Sequence, residues 1–327
     1  MQAMILRRPR SPLEPVVLPD PKPGPGEIRV HVTACGVCRT DLHVVDGELD
    51  AAALPIIPGH EIVGRVDALG AGVEHLRIGQ RVGIPWLGYT CGTCLYCCMG
   101  RENLCERSLF TGYTRNGGFA TATIADARYA FDLGEAGEDI RLAPLLCAGL
   151  IGWRSLVMAG EAGTLGLYGF GAAAHIITQV AVSQGRRVFA FTKPGDTKGQ
   201  AFARSLGAEW VGSSEEKPPV QLDAAILYAP NGGLVPLALA AVRKGGRVVC
   251  AGIHMSDIPA FRYDLLWGER QVMSVANLTR QDGRDFLSLA TRLKIEPHTT
   301  AYPLTSANQA LADLRAGSFE GAAVLVP

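Results

Sequence analysis

The sequence carries no excess of charge of either sign: 31 Lys and Arg stand against 31 Asp and Glu. A chain so balanced has no global field to draw it to nucleic acid or to an anionic membrane, which leaves small neutral molecules as the better partners. Long apolar runs are missing too, since a stretch such as Ala143 to Ile151 is too short and too broken by Pro and Gly to cross a bilayer. Met1 to Pro12 lacks the apolar character of a secretory leader. No internal repeat and no low-complexity tract is present, which sets aside solenoid and disordered architectures. These absences predict a soluble cytoplasmic protein that meets a small-molecule substrate, not nucleic acid and not a membrane.

The chain does have length and apolar content. With 327 residues, 48% of them hydrophobic, it can build two domains, each with its own core. The first third has little helical periodicity. Pro and Gly clusters (Pro19 to Gly26) punctuate β-branched runs at Ile28 to Thr33, Glu61 to Val66 and Arg81 to Ile84, which predicts a β-rich domain. From about Leu165 the texture changes to apolar strands alternating with amphipathic helices, the pattern of a parallel sheet covered on both faces. Strands are expected at Leu165 to Tyr168, Arg187 to Phe191, Ala224 to Tyr228 and Arg247 to Ala251, with helices at Ala172 to Gln184, Thr197 to Leu206 and Leu234 to Val242. After about Arg280, helices at Asp282 to Leu293 and Ser306 to Ala316 precede a Val-rich terminal strand. The fold class is α/β.

Four cysteines, Cys91, Cys94, Cys97 and Cys105, crowd into one short loop with the spacing C-x2-C-x2-C-x7-C. That spacing suits a closed tetrahedral zinc site, because each C-x2-C turn delivers two sulfurs to one face of one ion. The alternative, a pair of disulfides, needs an oxidising compartment. Cys98 competes with Cys97 for the third position, and the even C-x2-C-x2-C step favours Cys97.

A strand at Leu165 runs straight into Gly169-Phe170-Gly171-Ala172-Ala173-Ala174 and then a helix, the G-x-G-x-x-A arrangement for a dinucleotide pyrophosphate. Gly169 permits the tight turn, Gly171 lets backbone approach the phosphates, and the helix start offers unpaired N–H groups and a positive dipole end. A Gly-rich turn between any strand and helix is the plainer reading, and the βαβ surroundings argue against it. The second strand ends at Phe191-Thr192-Lys193, with no carboxylate there to grip the ribose hydroxyl of NAD. Thr192 and Lys193 suit a 2′-phosphate instead, which favours NADP over NAD, while Lys193 as an ordinary solvated loop residue stands as the alternative.

A second constellation is scattered: Cys35-Gly36-Val37-Cys38-Arg39-Thr40-Asp41-Leu42-His43, then Gly59-His60-Glu61, and far downstream an isolated Cys147. Two Cys and one His make the set zinc uses in an open catalytic site. Taken singly each has a simpler explanation, as a buried thiol or a hydrogen-bonded core histidine.

Over essentially its whole length the chain resembles the zinc-containing alcohol dehydrogenases of the medium-chain dehydrogenase/reductase superfamily. Gly59-His60-Glu61-x2-Gly64-x5-Gly70-x2-Val73 fits the family's zinc signature at every fixed position, and the four-cysteine lobe, Gly117-Gly118-Phe119-Ala120, Gly169 to Ala174 and Thr279-Arg280 follow in the family's order. The resemblance implies a GroES-like β-rich catalytic domain over residues 1–147 with a structural zinc lobe at 88–106. It implies a Rossmann doubly wound parallel-sheet domain over 148–279, and a segment 280–327 that returns to the catalytic domain. It also implies two zinc ions per chain: a structural zinc on the four cysteines, and a catalytic zinc on Cys38, His60 and Cys147. Cys35 is then a packed neighbour and Glu61 a transient ligand behind the metal. Asp41 matches the carboxylate that orients the ligand histidine, Thr40 and His43 match a proton relay, and Arg39 and Arg280 match contacts to the cofactor pyrophosphate. Trp86, Leu109 and Trp267 are candidate walls of a substrate pocket.

Two departures from the family pattern stand out: Asn116 where many relatives carry an acid, and Gln80 in Gly79-Gln80-Arg81-Val82 where Asp is common. The implied activity is hydride transfer between a nicotinamide cofactor and a small or medium alcohol or aldehyde, in a homodimer or homotetramer. Two rivals are a superfamily reductase of activated C=C bonds and a nucleotide- or zinc-binding protein without turnover. The first kind usually lacks both zinc sets, and the second has no need of a relay like Thr40 and His43.

Overall fold

The computed structural model describes residues 1–49 and 52–327. It divides into two units, one of Met1–Ala148, Asn277–Ser288 and Glu296–Pro327, the other of Gly149–Ala276 and Leu289–Ile295. Among the described residues no single helix is long and apolar enough to cross a membrane.

The first unit is built on a seven-stranded sheet. Its central strand, Glu27–Val37, pairs antiparallel with Glu61–Leu69, with the terminal strand Ala322–Val326 and with Ala122–Asp126. Glu61–Leu69 pairs in turn with Arg81–Ile84, and Thr299–Pro303 runs parallel to the terminal strand at the far edge. Alternation along Glu27–Val37 explains the core: Ile28, Val30, Val32 and Ala34 are buried while His31 is exposed. Ile28, Val30 and Val32 pack with Ile62, Val66, Val82, Ile84, Phe119 and Leu325. The β-rich runs expected from sequence all form, and Glu27–Val37 is longer than expected because its last residues pair with the chain terminus.

The second unit is a six-stranded, all-parallel sheet with the order Trp210–Ser213, Arg187–Thr192, Thr164–Tyr168, Leu222–Leu227, Val242–Cys250, Gln271–Ser274. Counted along the chain, that is 3-2-1-4-5-6, the doubly wound order of dinucleotide-binding sheets. The central strands are apolar along their length, as sheets covered on both faces require. Tyr168 stacks on Phe191 with ring centroids 4.0 Å apart. The helices Ala172–Ser183, Thr197–Ser205 and Leu234–Ala241 lie where the periodicity placed them.

The starts of Arg280–Leu293 and Arg39–Asp46 differ from the expected pattern for local reasons. Arg280–Leu293 begins two residues early because Thr279 caps it: Asp282 N donates to Thr279 Oγ1 at 3.1 Å, and Thr279 N donates back to the Asp282 carboxylate at 2.7 Å. Arg39–Asp46 has too short an apolar face to declare itself by periodicity.

Candidate active site

The helix Arg39–Asp46 is capped by a sulfur. Cys38 Sγ accepts from Thr40 N at 3.3 Å, and Cys38 N donates to Asp41 Oδ2 at 2.9 Å, so Cys38 and Asp41 close a reciprocal capping box. The other oxygen of Asp41 reaches a second segment, accepting from Gly59 N and from His60 Nδ1, each at 3.1 Å. One buried carboxylate thus ties the Cys38 turn to the Gly59-His60 turn. With Nδ1 turned to Asp41, Nε2 is the His60 nitrogen that faces Cys38 Sγ, 3.0 Å away.

Glycines make this approach possible. A Cβ on Gly117 would lie 2.0 Å from Gly59 O, and Gly117 N and Gly118 N donate to Ile57 O and Gly59 O. Asn116 joins the same contact, its Oδ1 accepting from Ile57 N at 3.1 Å. The Gly117-Gly118-Phe119 run is therefore a floor beneath the His60 turn. Gly36 clears space for a different group, since a Cβ there would stand 1.8 Å from Glu61 Oε2.

The ligand atoms of Cys38, His60, Glu61 and Cys147 all lie within 4.8 Å of one another. His60 and Glu61 are almost completely buried. Glu61 Oε1 is buried without a hydrogen-bond partner, an arrangement that disfavours a bare carboxylate and suits one beside a cation. Cys38 sits well below its ordinary range, first through the hydrogen bond from Cys147 and, against burial, through the charge of His60. The same bond, with burial, holds Cys147 up. Burial works to lower His60, but Asp41 and Cys38 together raise it well above its ordinary value. Burial, then the charge on Cys38, pushes Glu61 up. A thiolate, an imidazole nitrogen and a second thiol converging in a buried site form a soft donor set that fits zinc with one position open.

The four-cysteine cluster also assembles, with its ligand atoms within 4.8 Å of one another. Cys91 Sγ lies 3.5 Å from Cys105 Sγ and 3.9 Å from Cys97 Sγ. Four thiolates about 2.3 Å from one zinc ion would stand about 3.8 Å apart, so the spacing fits the metal. Cys98 turns away and donates to Thr93 O, leaving Cys97 as the third sulfur of the cluster. Backbone N–H groups pull Cys91 down to about 5, that of Thr93 most and that of Cys94 after the opposing effect of burial. No cysteine is disulfide-bonded among the described residues.

The relay candidates sit on the capped helix. Thr40 and His43 are both buried, and His43 Nδ1 meets Glu48 Oε2 at 2.5 Å. Arg39, the first residue of that helix, is exposed. Arg280 is held by Glu102. Trp86 stands edge-on to His60 at 5.0 Å and stacks on Phe110 and Tyr113, two aromatics that sequence reasoning did not single out. Leu109 is partly exposed, and Trp267 is exposed with Lys244 Nζ 5.7 Å over its ring.

In the parallel-sheet unit, Gly169 adopts φ +88°, and a Cβ there would meet Ala229 N at 2.8 Å. Gly171 caps the helix Ala172–Ser183 with open space at its Cβ position and no side-chain cap. The first helical N–H groups, on half-buried Ala172 and Ala173, are thus left for a ligand, while Ala174 packs fully against the sheet. Thr192 is buried, its hydroxyl bonded to Gly212 O at 3.5 Å and accepting from Gln200 Nε2 at 3.2 Å. Lys193 is exposed. The nearest carboxylate along the chain, Asp196, caps the next helix through Gly199 N at 2.9 Å.

Residues 24–135 match the alcohol dehydrogenase GroES-like domain. A probable alcohol dehydrogenase of Mycobacterium tuberculosis is 48% identical over 339 residues, covering 100% of this chain and 97% of that protein. Among solved structures, a cobalt- and zinc-bound thermostable alcohol dehydrogenase from Pyrobaculum aerophilum is similar with a TM-score of 0.90 and 26% identity, covering 100% of this chain and 99% of the other. Acetophenone reductase from Geotrichum candidum in complex with NAD is similar with a TM-score of 0.90 and 25% identity, covering 100% of this chain and 97% of the other.

Proposed function

This chain belongs to the zinc-containing alcohol dehydrogenases of the medium-chain dehydrogenase/reductase superfamily, and from that premise we propose that it interconverts small or medium alcohols and aldehydes with a nicotinamide cofactor. The observation that carries the reading is the convergence of half-buried Cys38 and Cys147 on buried His60, beside the Thr40 and His43 helix. Zinc held by those three residues would supply a Lewis acid for the substrate oxygen, and a bound nicotinamide would supply or accept the hydride.

The chain's own groups do the rest. Asp41 orients His60 with Nε2 towards Cys38 and keeps the Cys38 turn against it. Glu61, whose carboxylate lies within 4.8 Å of the other ligand atoms, would be available as a transient ligand of that metal. The Thr40 hydroxyl takes the proton of an alcohol substrate and passes it towards His43, which receives it at Nε2 while Glu48 holds Nδ1. Trp86, Phe110 and Tyr113 give the site an apolar side that keeps water from the reacting centre. Cys91, Cys94, Cys97 and Cys105 would hold a second, structural zinc.

Cofactor phosphates are read as lying on the Gly169 to Ala174 turn. NADP is favoured over NAD. Lys193 is exposed at the strand end, and Asp196 is engaged in capping. With the Thr192 hydroxyl bonded internally, that preference rests on Lys193. A cytoplasmic setting and a homodimer or homotetramer are the expected localisation and assembly.

The test is nicotinamide absorbance with zinc-loaded protein, offering NADPH and NADH separately against simple aldehydes and against conjugated enones or enoyl thioesters. Aldehyde-dependent oxidation of the cofactor is expected. Consumption of the enone panel with the aldehydes untouched would replace the reading with C=C reduction.

A further inference from the structure

The floor beneath the His60 turn also walls a cavity. About 190 Å³ in volume and contained in the first unit, it has Ile57, Asn116 and Gly117 on that side and Met1, Thr123 and Ile124 among its other walls. No zinc-ligand or relay residue lines it. Thr123 stands directly opposite Val30 in the sheet and so shares its face, the one on which Val30 joins Ile57 in the core with Met1 packed at the margin. Thr123 is 3% exposed, yet its Oγ1 has no hydrogen-bond partner among the described residues. A buried hydroxyl in that state is costly, and an accepting oxygen in the cavity would relieve it.

The rim adds polar groups that are already partly engaged. Asn116 is exposed, and its Oδ1 accepts from Ile57 N at 3.1 Å, which leaves the Nδ2 donors for another partner. Arg115 also lines the cavity and forms an ion pair with Glu27, while the Met1 ammonium is paired with Asp20. Each cation at the cavity therefore has its own carboxylate. An anionic ligand would find no uncompensated charge there, and burying an unpaired charge is unfavourable. The groups left over are donors: the Thr123 hydroxyl, the Asn116 amide and the remaining Arg115 N–H groups. A neutral ligand with one accepting oxygen matches them. An apolar cavity of about 150 Å³ admits benzene, so this one has room for a six-membered ring and an oxygen.

We propose that this cavity is a second small-molecule site, separate from the reacting centre, that takes a neutral aldehyde or ketone of about that size. Its carbonyl oxygen accepts from Thr123 Oγ1 and its apolar body lies against Ile57, Ile124 and Met1. The site needs neither metal nor nicotinamide, so it stands or falls apart from the hydride-transfer reading. Because Asn116 and Gly117 also brace the His60 turn, an occupant bears on the floor of the metal site.

The test titrates zinc-loaded, isoleucine-methyl-labelled protein with cyclohexanone and follows it by NMR. The Ile57 and Ile124 methyl signals are expected to move together and to saturate with one Kd. Thr123→Val keeps the shape, removes the hydroxyl and should weaken that Kd about fivefold, with a Tm no lower than wild type; Thr123→Ser keeps the hydroxyl and should bind within about twofold of wild type. No saturable shift at Ile124 overturns the proposal, as does a Kd unchanged in Thr123→Val. A shift at Ile57 without one at Ile124 would assign the binding to the zinc site and overturns it equally. Should Thr123→Val fail to fold, Thr123→Ser and Thr123→Ala decide the matter, because they differ only by the hydroxyl; equal affinity in the two is the overturning result. Cyclohexanecarboxylate, similar in size but charged, should bind more weakly than cyclohexanone, and tighter binding would overturn the neutral class of ligand.

Discussion

The two thiol clusters use the same atoms to opposite ends. In the lobe, all four sulfurs come from one stretch, Cys91 to Cys105, and backbone N–H groups of the loop itself support the sulfurs, as Cys94 N does for Cys91 at 3.3 Å. At the buried cluster, Cys38, His60 and Cys147 come from three distant segments held by tertiary contacts: the Asp41 bridge, the Gly117 floor and the space beside Gly36. A closed site built locally can tolerate exposure, because four thiolates satisfy one ion. A site with an open position has to be enclosed by the rest of the fold, or water and stray ligands would compete for it. The comparison teaches that the origin of the donors, one loop in the lobe and three distant segments at the other cluster, separates the two sites here.

The sharpest way to break this contrast is to remove a donor from each side. Cys38→Ala or His60→Ala should abolish turnover, a loss of several kcal/mol or roughly a thousandfold in kcat/KM, while circular dichroism and Tm stay close to wild type. Retained wild-type activity in either variant would sink the assignment of the reacting metal. Asp41→Asn keeps the shape but weakens the hold on His60 Nδ1, and a fall of about 10- to 100-fold in activity or metal affinity is expected. Equal zinc retention and activity would show that the bridge is only structural.

On the other side of the comparison, Cys94→Ser should act mainly on stability. A drop in Tm of roughly 10 °C is expected, with kcat at saturating cofactor much less affected; a melt unchanged by the substitution would deny the lobe its structural metal.

The smallest effect is an acid one. Burial raises the Glu102 carboxyl, but its bonds to Arg280 outweigh that and hold it below the ordinary 4.5. A depressed carboxyl stabilises the folded chain above its ordinary value, and the contribution fades as pH falls through the depressed one. Acid unfolding of Glu102→Gln, followed by fluorescence below about pH 5, should therefore begin from a lower stability and show a shallower pH slope than wild type. Superimposable acid limbs would mean that the pair contributes nothing to stability.

How much of this could be read without coordinates depends on the range of the interaction. The G-x-G-x-x-A turn and the C-x2-C-x2-C-x7-C loop are short-range devices, and their residues are found where the spacing put them. The start of Arg280–Leu293 was also written in the sequence, as the pair Thr279 and Asp282, though periodicity alone hides it. The cap on Arg39–Asp46 is harder to see because its acceptor is a sulfur. Phe110 and Tyr113 gave no signal, since an aromatic beside a short strand reads as core. Their role comes from stacking on Trp86, which itself stands against His60.

By itself the amino-acid sequence determined the two sheet types, the local turn that awaits a dinucleotide, the four-thiol loop and the donor types available for a second metal. Each follows from periodicity or from spacing over a few residues, where the backbone leaves little choice. Tertiary structure brought Cys147 to Cys38 and His60, turned Cys98 out of the lobe that the spacing had already given to Cys97, and set Arg280 against Glu102 across 178 residues of chain. Those contacts depend on closing long loops, and which residues meet is fixed only when the whole sheet has paired and its core has excluded water.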